Sequence, residues 1–203
     1  NWKKLKNNSL TYSNLNSGKL IVFSAPSGSG KTTLVRHLLE QDLPLGFSIS
    51  ATSREPRGKE QNGIDYYFLS TTQFQEKIQK KAFLEYEEVY QDTFYGTLNS
   101  ELDRLWSSGK QVLFDIDVVG GVTIKKKYPK ETLAIFVQPP SISELESRLR
   151  KRGTDNEEKI KERIAKARTE LEYAPQFDYC LINEDLDQAK KEVVQVVSDF
   201  LNS

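Results

Sequence analysis

The segment Ser24-Ala25-Pro26-Ser27-Gly28-Ser29-Gly30-Lys31-Thr32-Thr33 stands between the apolar run Leu20-Ile21-Val22-Phe23 and the helix-like stretch Leu34-Val35-Arg36-His37-Leu38-Leu39. Strand, glycine-rich turn and helix in that order commit a chain to a phosphate-binding loop. Glycines let the backbone turn so tightly that several N–H groups point at the phosphates, the helix N-terminus adds positive potential, and Lys31 supplies a mobile full charge. Thr32 is placed to hold Mg²⁺. Ala25 stands where the strict pattern has its first glycine, whereas Gly30, Lys31 and Thr32 stand in place. An ordinary strand-to-helix turn has uses for Ser and Gly, but no reason to set Lys and Thr directly behind the last glycine.

Around such a loop, 203 residues are enough for one α/β domain with a real core and a small insertion. Lys+Arg and Asp+Glu are equal at 29 each, so no global field favours nucleic acid or an anionic membrane, and any anion site is local. Cys180 is the only cysteine, which excludes an intramolecular disulfide and a cysteine-rich zinc site and suits a reducing compartment, so a cytoplasmic location is expected. No apolar stretch approaches the ~18 residues of a membrane span, and the N-terminus lacks the apolar run of a secretory signal. Residues 1–17 are polar and rich in Asn, Ser and Lys, and are read as a flexible leader. Methionine is absent even at position 1, so the native start is expected to be missing or replaced.

Further strand-type runs occur at Phe47 to Thr52, Gln111 to Ile116, Thr132 to Val137 and Tyr179 to Ile182. Continuous apolar runs suit strands buried on both faces, and Cys180, inside one of them, is expected to fill core space. Helical patterns cover Thr97 to Ser108, Val119 to Lys127, Ile142 to Tyr173 with a break at Gly153-Thr154-Asp155, and Leu186 to Leu201. Alternating strands and helices imply a mostly parallel sheet covered on both sides. The exception is Phe47 to Tyr90, where short strand candidates at Tyr66 to Leu69 and Phe83 to Tyr86 read as an inserted α+β subdomain. Ser70 with Gln73 and Ser141 with Glu144 have the spacing of capping boxes.

Three constellations add chemistry to the loop. Arg54 and Arg57 flank Pro56 in a stretch too irregular for a helix face, and two guanidinium forks there can grip one phosphate; Tyr66 follows closely and can donate its phenolic hydrogen to the same group. Asp115-Ile116-Asp117 closes a buried-type strand, so a carboxylate emerges at the strand's carboxyl end, where open α/β sheets bind ligands. A helix-capping role also fits Asp117. Arg148, Arg150, Lys151, Arg152, Arg163 and Arg168 crowd the long helical stretch, and Arg148 and Arg152 share a face at i,i+4 spacing, where an anion would relieve their repulsion, although Glu144, Glu146 and Glu157 can also neutralise them. His37, the only histidine, has no nucleophile motif attached and is read as a surface or packing residue.

Taken in order, Ala25 to Lys31, Thr52-Ser53-Arg54-Glu55-Pro56-Arg57, Asn62-Gly63-Ile64-Asp65-Tyr66, Tyr95-Gly96-Thr97 and Asp115-Ile116-Asp117 resemble the guanylate kinases, nucleoside monophosphate kinases of the P-loop class. The resemblance runs from about Gly18 to Leu201 and implies an α/β fold. Its P-loop NTPase-type parallel sheet is flanked by helices (18–47, 106–141 and 169–201), with an inserted α+β GMP-binding subdomain (48–105) and a helical lid (142–168). It implies Mg²⁺-dependent transfer of the ATP γ-phosphate to GMP, with small nucleotides as partners, no nucleic acid or membrane, and work as a monomer or homodimer. By position, Arg54, Arg57, Tyr66 and Tyr95 would hold the GMP phosphate. Ser50, Glu85 and Thr97 would read guanine, with Asp115 nearby. Ser27 to Thr33 would hold ATP phosphates, with Asn183 near the adenine. Lys31, Arg148, Arg152 and Arg163 would stabilise the transferred group, and Thr32 the metal. For Glu85 the chemistry agrees: a carboxylate accepts from both guanine N1–H and the exocyclic amine, whereas adenine offers an acceptor at N1. One stretch departs from the family, since Tyr90-Gln91-Asp92-Thr93-Phe94-Tyr95-Gly96 lacks the usual glycine and carries Phe94 where a tyrosine pair is common.

Two other readings use the same residues. A P-loop kinase for another small acceptor is opposed by Glu85 and Thr97. A non-catalytic peptide-binding module, which the same fold also serves in scaffold proteins, is opposed by the intact Gly30, Lys31 and Thr32.

Overall fold

The structure, a computed structural model, describes residues 18–203, and the leader read over 1–17 lies outside the described residues. Two sheets share the chain. The larger has five parallel strands in the order β2 (Leu45–Phe47), β7 (Gln111–Asp115), β1 (Leu20–Ser24), β8 (Thr132–Gln138) and β9 (Tyr179–Ile182). The smaller is mixed, in the order β4 (Tyr67–Phe68), β3 (Ala51–Thr52), β6 (Thr93–Leu98) and β5 (Phe83–Tyr90).

The central strand β1 is fully buried, which accounts for its uninterrupted apolar sequence. On one face, α1 (Lys31–Leu39) and α7 (Leu186–Asn202) bring Leu34, Val35, Leu38, Val193 and Val197 against Ile21, Phe23, Leu113 and Ile135. On the other, α3 (Asn99–Ser107) and α4 (Val118–Lys127) bring Leu102, Leu105 and Ile124 against Leu20, Val22 and Phe114. The smaller sheet has an aromatic core of its own beneath α2 (Thr71–Gln79): Phe74 stacks on Phe83 at 4.3 Å and on Phe94 at 5.3 Å. Finally, α5 (Ile142–Arg152) and α6 (Glu157–Leu171) pack Leu145 and Leu149 against Ile160 and Ala167.

Several expectations needed correction. The apolar run Phe47 to Thr52 is two strands in different sheets, because the chain leaves β2 at Ser48 and joins β6 from Ala51 on. Thr97 does not begin a helix; it lies in β6, whose alternation is hidden in the sequence by Gly96. A side chain at 96 would meet the Glu85 carbonyl at 2.7 Å, so only glycine lets β5 and β6 close their ladder. Cys180 is exposed, not core: β9 is an edge strand whose Leu181 faces the α1–α7 layer, whereas Cys180 points outward and its thiol donates to Gln138 Oε1 at 3.2 Å. The capping box at Ser70 and Gln73 forms with both bonds, but at Ser141 only the serine half forms, since Glu144 turns to Arg148 at 2.9 Å. The break in the long helical stretch falls where Gly153 takes φ 68° and Asn156 caps α6.

Candidate active site

A cleft of about 730 Å³ opens at the carboxyl ends of β1 and β7, between the glycine-rich loop, the smaller sheet and α5–α6. Parallel α/β sheets bind ligands at this edge, because the loops leaving the strands and the helix N-termini converge there.

The loop forms one wall. Gly28 and Gly30 take φ 98° and 93°, left-handed backbone that other residues adopt only under strain. Among the described residues no acceptor takes the N–H groups of Gly28, Gly30, Lys31 or Thr32, as a phosphate cradle requires. The loop is braced from two sides. Leu145 and Leu149 of α5 press on Gly28, and Asn183, at the end of β9, donates its buried amide to Ser29 O at 2.7 Å. Lys31 Nζ sits 2.6 Å from Asp115 Oδ1 and 3.0 Å from Ile116 O, and Thr32 Oγ1 donates to Asp115 Oδ2 at 3.3 Å.

The opposite wall comes from the smaller sheet. Glu85 is 6 % exposed, and burial pushes its carboxyl up to about 7, against the influence of Thr97 across the ladder; Asp117 raises it further. The Thr97 hydroxyl is buried beside this carboxyl. Space for Glu85 depends on Gly120, whose missing side chain would lie 2.8 Å from Glu85 Oε2. Gly120 belongs to the first turn of α4, where Asp117 caps the helix by accepting from Val119 N at 2.7 Å and Gly120 N at 2.9 Å. Tyr66 and Tyr95 meet edge to face at 6.1 Å, and Tyr95 OH accepts from Arg54 Nε at 3.0 Å. Strand alternation explains the Phe94-Tyr95 pair: Phe94 enters the aromatic core while Tyr95 faces the cleft.

Of the residues expected from sequence, Ser27, Gly28, Gly30, Lys31, Thr32, Thr33, Ser50, Tyr66, Glu85, Tyr95, Asp115 and Arg152 line the cleft together. Arg54 stands behind Tyr66 and Tyr95, and Ser29 and Thr97 are buried behind the walls. Arg57 is exposed and engages Glu60 through its backbone, its N–H donating to the Glu60 carboxylate at 2.8 Å and its carbonyl accepting from Glu60 N at 3.1 Å. Asn183 is 4 % exposed, its amide given to the loop. Arg148 is held by Glu144 at 2.9 Å and by Asn183 O at 3.0 Å, whereas Arg163 is held by Asp155 at 3.2 Å and donates to Ser27 Oγ. Sequence reasoning missed Arg36, Val89 and Glu170, which also line the cleft, and Glu60, which takes the Arg54 fork at 2.6 and 2.9 Å. Burial raises the Glu170 carboxyl, with Lys166 and Lys31 opposing.

A glycine-rich loop carrying Lys31 thus faces a buried carboxylate across a single cleft, with a tyrosine pair and an arginine beside it. The family model for guanylate kinase matches residues 17–200. The chain belongs to the guanylate kinase family. It is 56 % identical to the guanylate kinase of Bacteroides thetaiotaomicron, with 91 % of each chain covered, and 53 % identical to that of Porphyromonas gingivalis, covering 90 % of this chain and 98 % of the relative. The crystal structure of guanylate kinase from Anaplasma phagocytophilum superposes with a TM-score of 0.71 at 26 % identity, covering 90 % of this chain and 85 % of that one. The guanylate kinase reaction moves the γ-phosphoryl group of ATP to GMP. Among the described residues no helix is long and apolar enough to cross a membrane.

Proposed function

We propose that this chain phosphorylates GMP from ATP with the two walls of the cleft divided by substrate: the glycine-rich loop takes the donor and the smaller sheet takes the acceptor. The observation that carries this division is Glu85, a buried carboxylate across the cleft from Lys31. Ionised, it offers two acceptors to guanine N1–H and the exocyclic amine, with Ser50 and Thr97 completing the reading of the base and Asp115 near its edge. Adenine would set its own N1 acceptor against a carboxylate and leave it unpaired. Tyr66, Tyr95 and Arg57 hold the GMP phosphate, with Arg54 acting from behind the two tyrosines.

Phosphoryl transfer requires alignment and positive charge around the moving group rather than covalent help from the protein. The free N–H groups of Gly28, Gly30, Lys31 and Thr32 cradle the ATP phosphates, Lys31 leaves Asp115 for them, and Arg152 already faces the cleft. Arg148 and Arg163 join when the lid over 142–168 closes and they give up Glu144 and Asp155. Closure also excludes water, which protects ATP from hydrolysis. Asn183 serves the donor side by bracing Ser29. Among the described residues no group of three or more His, Cys, Asp or Glu side chains forms a metal cage. A hydroxyl beside a carboxylate at the foot of the loop instead fits Mg²⁺ that arrives on ATP and keeps most of its shell as phosphate and water. Thr32, with Asp115 behind it, would hold that ion, which supplies charge neutralisation when bound.

Coupled detection of ADP with ATP, Mg²⁺ and, separately, GMP, AMP, CMP, UMP or dTMP tests this reading. Rapid ADP release with GMP alone is expected. Release with another monophosphate, or with none while ATP still binds, would overturn the acceptor assignment.

A further inference from the structure

Arg54 is held on every side. Its Nε donates to the Tyr95 hydroxyl oxygen at 3.0 Å, its terminal nitrogens grip the Glu60 carboxylate at 2.6 and 2.9 Å, and one of them reaches Glu55 O at 3.0 Å. The guanidinium lies over the Tyr66 ring at 4.9 Å and beside the Phe68 ring at 5.7 Å. Glu60 is fixed in turn. The oxygen that takes one Arg54 nitrogen also accepts the Arg57 N–H at 2.8 Å, and the Glu60 N–H donates to Arg57 O at 3.1 Å, so the carboxylate is built into the turn it closes.

A bidentate Arg–carboxylate pair fixes the plane of the guanidinium as well as its place. Once that plane is fixed, Nε has one direction, and it points at the Tyr95 oxygen. A phenol that accepts there keeps its own hydrogen for another acceptor. Among the described residues no protein group takes that hydrogen, and Tyr95 lines the cleft. The Arg54 guanidinium holds the Glu60 carboxyl down at about 2, so the clamp is charged throughout the neutral range.

We propose that Glu60 is a positioning residue for the acceptor nucleotide: by gripping the Arg54 fork it seats Nε on the Tyr95 oxygen and so aims the Tyr95 hydroxyl hydrogen at the acceptor phosphate. The inference rests on the acceptor-side reading given above. The opposite role, a carboxylate occupying the phosphate's place until GMP displaces it, fits less well, because Glu60 is also bonded to the Arg57 backbone and would have to break its own turn to leave.

The two roles differ in sign. Steady-state kinetics of the full chain, E60Q, Y95F and the double variant, with guanosine as a competitive inhibitor lacking the phosphate, separates them. The expected result is that E60Q raises KM for GMP by about tenfold, in keeping with loss of an aligned charge-assisted contact. KM for ATP and the inhibition constant for guanosine should stay unchanged, and E60Q should add less than about twofold once Tyr95 is already Phe. A lower or unchanged KM for GMP in E60Q, an equal loss of guanosine affinity, or a full E60Q effect in the Y95F background would each overturn the proposal. Failure of the parent chain to turn over GMP would instead overturn the reading on which it rests.

Discussion

The Asn183 side-chain amide donates to the Ser29 carbonyl at 2.7 Å, joining the end of the last strand of the parallel sheet to the middle of the phosphate loop 154 residues earlier. The same residue's carbonyl accepts from Arg148 at 3.0 Å, so one buried asparagine ties together loop, sheet edge and α5. Asn183→Ala removes the donor and leaves the Ser29 carbonyl unpaired. The expected outcome is a loss of about 1–3 kcal/mol in stability, read from denaturant midpoints, together with a raised KM for ATP and little change in KM for GMP.

Glu85 gives a prediction in which stability and recognition move in opposite directions with pH. Its folded carboxyl titrates near 7 while an ordinary one titrates near 4.5, so the folded chain binds more protons than the unfolded chain between those values. Its contribution to stability is therefore fully present below the unfolded value and is lost as pH rises through about 7. Glu85→Gln should stabilise the chain at pH 8 relative to pH 5 by on the order of 1–3 kcal/mol, measured by paired denaturant titrations. GMP recognition needs the ionised form, so kcat/KM for GMP should fall on the acid side of neutrality. Titration of a phosphate monoester, near pH 6, is common to both enzymes, so subtracting the Glu85→Gln profile isolates the Glu85 limb.

Acceptor choice and turnover should separate by wall. Glu85→Ala is expected to narrow the preference for GMP over AMP by on the order of 10² while ATP binding persists. Lys31→Ala should lose turnover with every acceptor. Ratios of kcat/KM across the monophosphate panel check both; an unchanged GMP preference in the Glu85 variant would sink the guanine assignment.

The smaller sheet depends on few residues for its core. Phe74 is fully buried and stacked on two other phenylalanines. Phe74→Ala is expected to cost about 3–5 kcal/mol in chemical denaturation, and to raise KM for GMP before KM for ATP, because Tyr95 and Glu85 hang on strands whose inner faces pack on that ring.

The phosphate loop was legible in the sequence because everything that makes it is contiguous: a buried strand, glycines at left-handed turns, and Lys31 and Thr32 behind the last of them. Glu85 was not legible from periodicity. One of three glutamates in FLEYEEVY, it looks like any strand-edge charge, and only the family resemblance singled it out before burial explained it. Glu60 left no signal, because its pairing with Arg54 crosses an irregular turn six residues wide that no helical or strand period describes. Cys180 was misread for a related reason: an apolar run cannot tell a central strand from an edge strand, and β9 lacks a neighbour on one side. Tyr95 was placed in the cleft by something a motif does not contain, the two-residue turn at Gln91 and Asp92, with Asp92 at φ 60°, that sets the register of β6 against β5.

The contact between Lys31 and Asp115 makes occupation of this loop an ion exchange rather than an addition. An arriving anion gains the lysine only by taking over from a carboxylate 2.6 Å away, which a monovalent ion such as chloride does poorly and a polyphosphate, with several charges spread over the neighbouring N–H groups, does well. The cell's abundant simple anions are thereby poor competitors, and the loop keeps its capacity for nucleotides in salt that would fill an uncommitted cationic pocket.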